Sequence, residues 1–497
     1  MKSTVLRSTP IFMRLPIGRV LILWAAANLG AIAAVPATDQ AIALEEKGDF
    51  RGATNILQKA LQEKPSASRE AQQLAFELDR LQRIRMDFPL TRSELFAALR
   101  ESMTHLAEPE FDQWLKEGRF DSREIDGERR FMVSSVSNLY FRHPELEPRR
   151  RTPRNPPSLQ AARWQTSAAI KKAAIAQKQP YVLPRRFEVT MIVTAKATPA
   201  IEQGSIRAWI PVPRDYPFQG GFEVISSSPA IKHLDPATSP IRAAYMESEG
   251  KPGEDAEFRL TYQYTAHGVW FDLTSAPAEK IKRDPGVDLF TREAPHVVFT
   301  PEIRGLSQRI AKGETNQVRL ARAFYEWIST NIKYSYAIEY STIRNISEYC
   351  RSRGYGDCGQ EALLFITLCR LNGIPARWQS GWNTFPGAKS IHDWSEIYLE
   401  PWGWVPVDPY MGIYAMQYAT SLPQSQRLEL RDFYFGGLDQ YRIAANSDHN
   451  QELVPAKKFF RSDTVDFQRG ELETGVANLY FDQFNYRLDL RELDPLP

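Results

Sequence analysis

The stretch RGYGDCGQEALLFITLCRLNGIPAR, residues 353–377, decides how this chain is read. It opens as a loop punctuated by Gly354 and Gly356 and reaches Cys358. From Glu361 the run Ala362, Leu363, Leu364, Phe365, Ile366, Leu368 is apolar on every side of a helical wheel, the mark of a buried helix, and Gly373 and Pro375 end it. Cys358 therefore stands at the N-terminus of a buried helix. Unpaired backbone N–H groups and the positive end of the helix dipole favour thiolate over thiol there. Cys369, inside the helix, reads as an ordinary buried cysteine, and a solitary Cys358 would read the same way.

Cys358 is not solitary. The segment HDWSEIYLEPWGWVPVDP, residues 392–409, contains two strand signals with a polar residue at one end of each. His392 opens the first and is the candidate general base. Asp408 ends the second; paired as a hairpin, the two strands bring its carboxylate to the other imidazole nitrogen, where it fixes tautomer and orientation. A cysteine, a histidine and an aspartate so placed are the parts of a nucleophilic constellation. Upstream, Arg319 to Ile332 reads as a helix with Leu320, Phe324, Trp327 and Ile328 on one face, leading into Lys333-Tyr334-Ser335-Tyr336.

Gly356-Asp357-Cys358, Arg370-Leu371-Asn372-Gly373-Ile374-Pro375-Ala376-Arg377, His392-Asp393-Trp394-Ser395-Glu396 and Gly403-Trp404-Val405-Pro406-Val407-Asp408-Pro409, in that order, resemble the core of the bacterial transglutaminase-like superfamily. The resemblance covers Ile303 to Met411. It implies a papain-like triad with Cys358 as nucleophile, His392 as base and Asp408 as orienter, acting on a carboxamide or peptide carbonyl through a thioester. The Cys358 backbone N–H is the expected first oxyanion donor. For the second, the family's habit of using an upstream side chain leaves Trp327, Tyr334, Tyr336 and Tyr355 open, with helix packing the expected job of Trp327.

Outward from this core, residues 181–290 switch to period two. Phe187, Val189, Met191 and Val193 alternate with Glu188, Thr190, Ile192 and Thr194, and Phe258, Leu260, Tyr262 and Tyr264 alternate with polar neighbours, which predicts a β-sandwich. With Trp209-Ile210-Pro211-Val212-Pro213 it resembles the domain that precedes the core in many bacterial members. Residues 38–143 read as helical, with Ala41 to Leu61 as two helices around Gly48-Asp49-Phe50, resembling a single tetratricopeptide unit or a plain amphipathic hairpin. Residues 144–180 open with PELEPRRRTPRNPP and read as a linker. The core is expected over 295–415, and 416–497 is left as a C-terminal extension. The expected fold class is α+β: a papain-like transglutaminase core preceded by the sandwich and the helical region.

Residues 1–33 carry Lys2, Arg7, Arg14 and Arg19 with no acid, then an apolar run ending in Ala31-Ile32-Ala33, the pattern of a cleaved secretory signal. This predicts a periplasmic or secreted protein without a membrane span after cleavage. Across 497 residues, 62 Lys+Arg balance 60 Asp+Glu, which excludes the basic excess of a nucleic-acid binder. Three cysteines between positions 350 and 369 cannot staple the chain. The histidines are scattered singly and no C-x-x-C occurs, so no metal or cofactor is implied. The expected partner is a protein or peptide substrate. The expected function is that of a thiol acyltransferase, deamidase or peptidase, with a non-catalytic envelope scaffold of the same fold as the alternative. Water is favoured over an amine as acyl acceptor because no acidic cluster near the motifs marks an amine site. Trp378, Trp382, Trp394, Trp402 and Trp404 are expected mostly in the core, with some free to wall the cleft.

Overall fold

A computed structural model describes residues 36–65, 68–152, 156–198, 204–274 and 286–493. The expected signal, residues 1–33, lies outside the described residues. The fold is α+β, and the site is positioned by a four-stranded antiparallel sheet in the order Gly403–Val407, Ser390–Leu399, Ala376–Asn383, Arg442–Asn446. The helix Cys358–Leu371 packs on it, and every residue from Gly359 to Arg370 is buried. That explains an apolar run with no polar face. Behind it the helix Gln317–Asn331 turns Leu320, Ala321, Phe324, Tyr325 and Ile328 inward.

Three of the five tryptophans are buried. Trp378 and Trp394 are fully buried in the core cluster, and Trp382 joins the sandwich cluster. Trp402 donates from Nε1 to the Asp272 carbonyl at 3.1 Å, and the Arg377 guanidinium lies 3.9 Å over the Trp404 ring.

Two five-stranded sheets form the sandwich. One runs Gly437–Leu438, Ala256–Trp270, Tyr181–Ala195, Phe484–Leu493, with Gln219–Ser228 also on Ala256–Trp270. The other runs Asn478–Leu479, Glu471–Glu473, Ser205–Pro211, Ala243–Glu249, Ile231–Leu234. Alternate residues from both, Phe187, Val189, Ile206, Ala208, Phe258, Leu260 and Leu472 among them, fill the space between.

The segment read as a C-terminal extension is therefore no appendage. It supplies strands to both sandwich sheets and, through Arg442–Asn446, an edge strand to the core sheet. Its longest strand, Phe484–Leu493, lies at a sheet edge and carries Arg487, Asp489, Arg491 and Glu492, charges that guard an edge and blur the period-two signal.

The expected linker also differs. Pro157–Gln177 is a helix wedged against Tyr181–Ala195, Ala256–Trp270 and Gln424–Phe433. Its buried positions Gln160, Arg163, Ser167, Ile170 and Ala174 keep helical spacing, but three are polar, which hides the period from a hydrophobicity reading. The helices Pro36–Glu46 and Phe50–Gln62 meet at Gly48 (φ +81°), and Asp49 caps the second by accepting from the Gly52 N–H. The third helix, Arg69–Asp87, sends the buried Arg83 to the C-terminal segment. It donates to the Ser462 carbonyl at 3.0 Å and lies 3.8 Å over the Tyr480 ring.

Candidate active site

Cys358 is the first residue of its helix and only half-buried. Asp357 is the N-cap: its Oδ1 accepts from the Gln360 N–H at 3.1 Å and from the Tyr340 hydroxyl at 2.5 Å, which fixes the turn that presents the sulfur. The backbone must come close here. A Cβ on Gly359 would lie 2.2 Å from the Tyr340 hydroxyl, 2.9 Å from the Trp378 ring and 3.0 Å from Asp393 Oδ2. Gly359→Ala is thus expected to cost about 1–3 kcal/mol in overpacking. It should also lower turnover by roughly tenfold, because Asp393 and the sulfur must shift together. Urea midpoint and kcat, measured side by side, check this.

His392 lies near the start of its strand, and Asp408 follows the paired strand and caps the short helix Pro409–Ile413. His392 Nε2 and Asp408 Oδ2 are 2.8 Å apart and buried. Asp408 also accepts from Arg442 Nη1 at 2.8 Å and from the Met411 N–H at 3.1 Å, and Arg442 in turn holds Asp439 at 3.1 Å. The imidazole is stacked on Trp394, centroids 5.7 Å apart, with the Tyr410 ring edge-on at 5.4 Å. With Nε2 on a carboxylate, Nδ1 is left as the basic nitrogen.

Cys358 meets the histidine strand one residue further on. Sγ donates to Asp393 Oδ2 at 3.6 Å. Among the described residues it makes no hydrogen bond to the His392 ring. Burial, then the Asp393 and Asp357 carboxylates, push the thiol well above its usual range, against the pull of the Asp393 N–H. The helix terminus alone favours the opposite sign, and the difference lies first in burial and then in carboxyls that share the motifs with the cysteine. Burial lowers the His392 pKa while Asp408 raises it, and the net shift is downward. For Asp408, burial is outweighed by His392 and Arg442, which hold it at about 2.

Around the sulfur the carboxyls shift the other way. Burial, then Asp466, Asp357 and Asp463, drive Asp393 far up, and burial brings Asp357 and Asp463 to about 6. In the unfolded chain such carboxyls ionise near pH ~4. Between that pH and about 6 the unfolded state gives up protons that the folded state keeps, so stability falls as pH rises. Each carboxyl moved from 3.8 to about 6 contributes about 3 kcal/mol of that loss. His392, His143 and His296, their pKa values lowered, work in the opposite sense below their unfolded value, against a larger set of raised carboxyls that also includes Asp87, Glu361 and Asp466. Scanning calorimetry is expected to give a higher Tm near pH ~5 than near pH ~8, with a flatter profile in Asp393→Asn. A Tm that climbs across this range contradicts the assignment.

Of the four upstream side chains, Tyr334 stands on the strand beside the turn that leads into Cys358. Its strand pairs with Tyr355-Gly356 directly before Asp357, its phenol shares a charge interaction with Cys358, and its hydroxyl has no hydrogen bond among the described residues. Tyr355 donates to Asp121 Oδ1 at 2.5 Å, Trp327 packs on the core, and the Tyr336 side chain is exposed. Sequence reasoning missed Arg442, Gln468 and the buried Arg163, which acts on His392 from the 157–177 helix. Nothing local in the sequence links them to the motifs; Asp393, by contrast, was in view inside one.

Residues 304–409 match the model of the Transglutaminase-like superfamily. Among solved structures the chain is similar to a proposed cysteine protease from Cytophaga hutchinsonii, at 14% identity and TM-score 0.42, covering 63% of this chain and 93% of that one. It is also similar to the periplasmic domain of TgpA from Pseudomonas aeruginosa, at 15% identity and TM-score 0.26, covering 54% and 96%. No curated protein matches the chain. Residues 304–409 are thus a transglutaminase-like superfamily domain, and it holds the cysteine, the histidine–aspartate pair and the capping turn described above.

Proposed function

We propose that this protein is a thiol enzyme acting on carboxamide or peptide bonds through a Cys358 thioester. The observation that carries the reading is the buried His392–Asp408 pair at 2.8 Å, with the histidine strand meeting the sulfur of a helix-initial cysteine one residue on. Substrate binding turns Sγ from Asp393 to His392 Nδ1, which takes the thiol proton as sulfur attacks the carbonyl carbon. The oxyanion is met by the Cys358 N–H and the Tyr334 hydroxyl. His392 passes the proton to the departing amine or ammonia, leaving the thioester for water or an amine. Asp408 keeps Nε2 protonated, and Arg442 keeps Asp408 ionised.

An N-blocked glutamine peptide incubated with a fluorescent primary amine tests this, with ammonia, labelled peptide and cleaved fragments measured together. The wild type is expected to form at least one of the three, and Cys358→Ala none. Wild type forming none would make the fold an idle scaffold. Residues 1–33 support a location outside the cytoplasm. Intact-mass analysis is expected to find a mature chain beginning near Ala34; a chain retaining Met1 in the periplasmic or secreted fraction would contradict it.

A further inference from the structure

Cys358 is surrounded by charge that acyl transfer as drawn above does not use. Asp393 Oδ2 is 3.6 Å from Sγ, and its other oxygen, Oδ1, accepts from Gln468 Nε2 at 2.5 Å. Gln468 arrives from the C-terminal segment and is 1% exposed, and its Oε1 has no hydrogen-bond partner. Asp466 Oδ1, two residues earlier, has none either, and the Asp466, Asp357 and Asp463 carboxyls all act on Asp393. Two cations act on this group through charge alone. Arg469 acts on Asp466 and lies 3.9 Å from Glu339, and Arg461 acts on Asp463 while bound to Glu471 at 2.6 Å. Neither neutralises Asp393.

A buried amide oxygen without a donor, beside a carboxyl that burial and its acidic neighbours hold protonated, offers two acceptors to a small cation rich in N–H groups, whose arrival replaces the carboxyl proton. Metal-ligating residues do not converge here or elsewhere among the described residues. We propose that Asp393 and Gln468, backed by Asp466, form a subsite for a primary ammonium group directly beside Cys358. The inference rests on the reading of Cys358 as nucleophile and deepens it. The ammonium belongs either to an acyl-acceptor amine, which gives up a proton to His392 Nδ1 as its nitrogen attacks the thioester carbon and the sulfur leaves, or to the free amino terminus of the donor peptide. Water was favoured as acceptor because no acidic cluster marked an amine site; the cluster is present, assembled from two motif aspartates and a distant part of the chain. The C-terminal segment thereby gains a role in the site.

Charge-selective labelling tests this without requiring turnover. The full-length protein is treated with methanethiosulfonates carrying methyl, 2-aminoethyl, 2-trimethylammonioethyl or 2-sulfonatoethyl groups. Rates at Cys358 are read by peptide mass mapping and normalised to a small free thiol. The aminoethyl reagent is expected to exceed the sulfonate by about tenfold or more and the quaternary reagent several-fold. Both ratios should collapse towards unity in Asp393→Asn and in Gln468→Leu, two replacements of near-native shape. Equal rates for aminoethyl and sulfonate, equality of the two cations, or ratios unmoved by both substitutions would each overturn the subsite. A Cys358 that reacts with none of the four would overturn subsite and nucleophile together. Selectivity without turnover of any peptide would remove the enzyme reading and leave the subsite standing. In the active protein, a roughly tenfold rise in KM for a free alkylamine in Asp393→Asn assigns the acceptor. The same rise for an unblocked peptide, absent for its N-acetylated form, assigns the donor. A KM unmoved in both arms overturns the proposal.

Discussion

Cys358→Ala is expected to lower turnover by about 10⁴-fold or more and to leave the fold intact. The thiol is half-buried and its one side-chain hydrogen bond is to Asp393, so its loss opens little cavity and removes a contact that already crowds a carboxyl. His392→Ala is expected to cost a comparable factor, because the thiol stays protonated at neutral pH without its base. Non-additivity is the signature. The double change Cys358→Ala/His392→Ala should be no slower than the worse single change, since the two groups act in one step. A double variant that loses the product of the two single factors would mean that cysteine and histidine act independently.

Arg442→Met is expected to be the most destabilising single change near the site. Arg442 is buried between Asp408 at 2.8 Å and Asp439 at 3.1 Å, with its guanidinium 5.3 Å from the Trp394 centroid. Removing it strands two buried carboxylates, a cost of about 3–5 kcal/mol. Asp408, held at about 2 by His392 and Arg442 against burial, would titrate higher. A carboxylate with a lowered folded pKa stabilises above its unfolded value and loses that contribution as pH falls through about 2. Without Arg442 part of the contribution disappears at neutral pH as well, and the acid limb of the activity profile moves up. Urea unfolding checks the first effect, as a lower midpoint at unchanged slope, and the pH dependence of kcat/KM checks the second. Wild-type stability in Arg442→Met would show that the two carboxylates are neutral.

What the sequence made legible follows physical locality. The 358–371 helix was readable because an all-round apolar run admits few alternatives, and the hairpin because two strand signals bracket one turn. Cys358, His392 and Asp408 were visible as residue types at element ends. Arg442, Gln468 and Asp466 were not, because their relation to the site exists only after residues 437–493 return to both sheets. The 157–177 helix was lost for a different reason. Its buried face carries Gln160, Arg163 and Ser167, so burial and hydrophobicity disagree. The helix terminus at Cys358 is visible in the sequence, whereas the burial that pushes its thiol up, and the approach of Asp393 that adds to it, exist only in the folded chain.

The central claim, that Cys358 forms an acyl-enzyme, is tested most directly by acid-quenched intact-mass analysis during reaction with an N-blocked glutamine p-nitrophenyl ester. The expected result is a covalent acyl adduct mapping to Cys358 within the first turnover, cleaved by hydroxylamine and absent from Cys358→Ala. Ester turnover with no adduct on Cys358, or undiminished in Cys358→Ala, would contradict it.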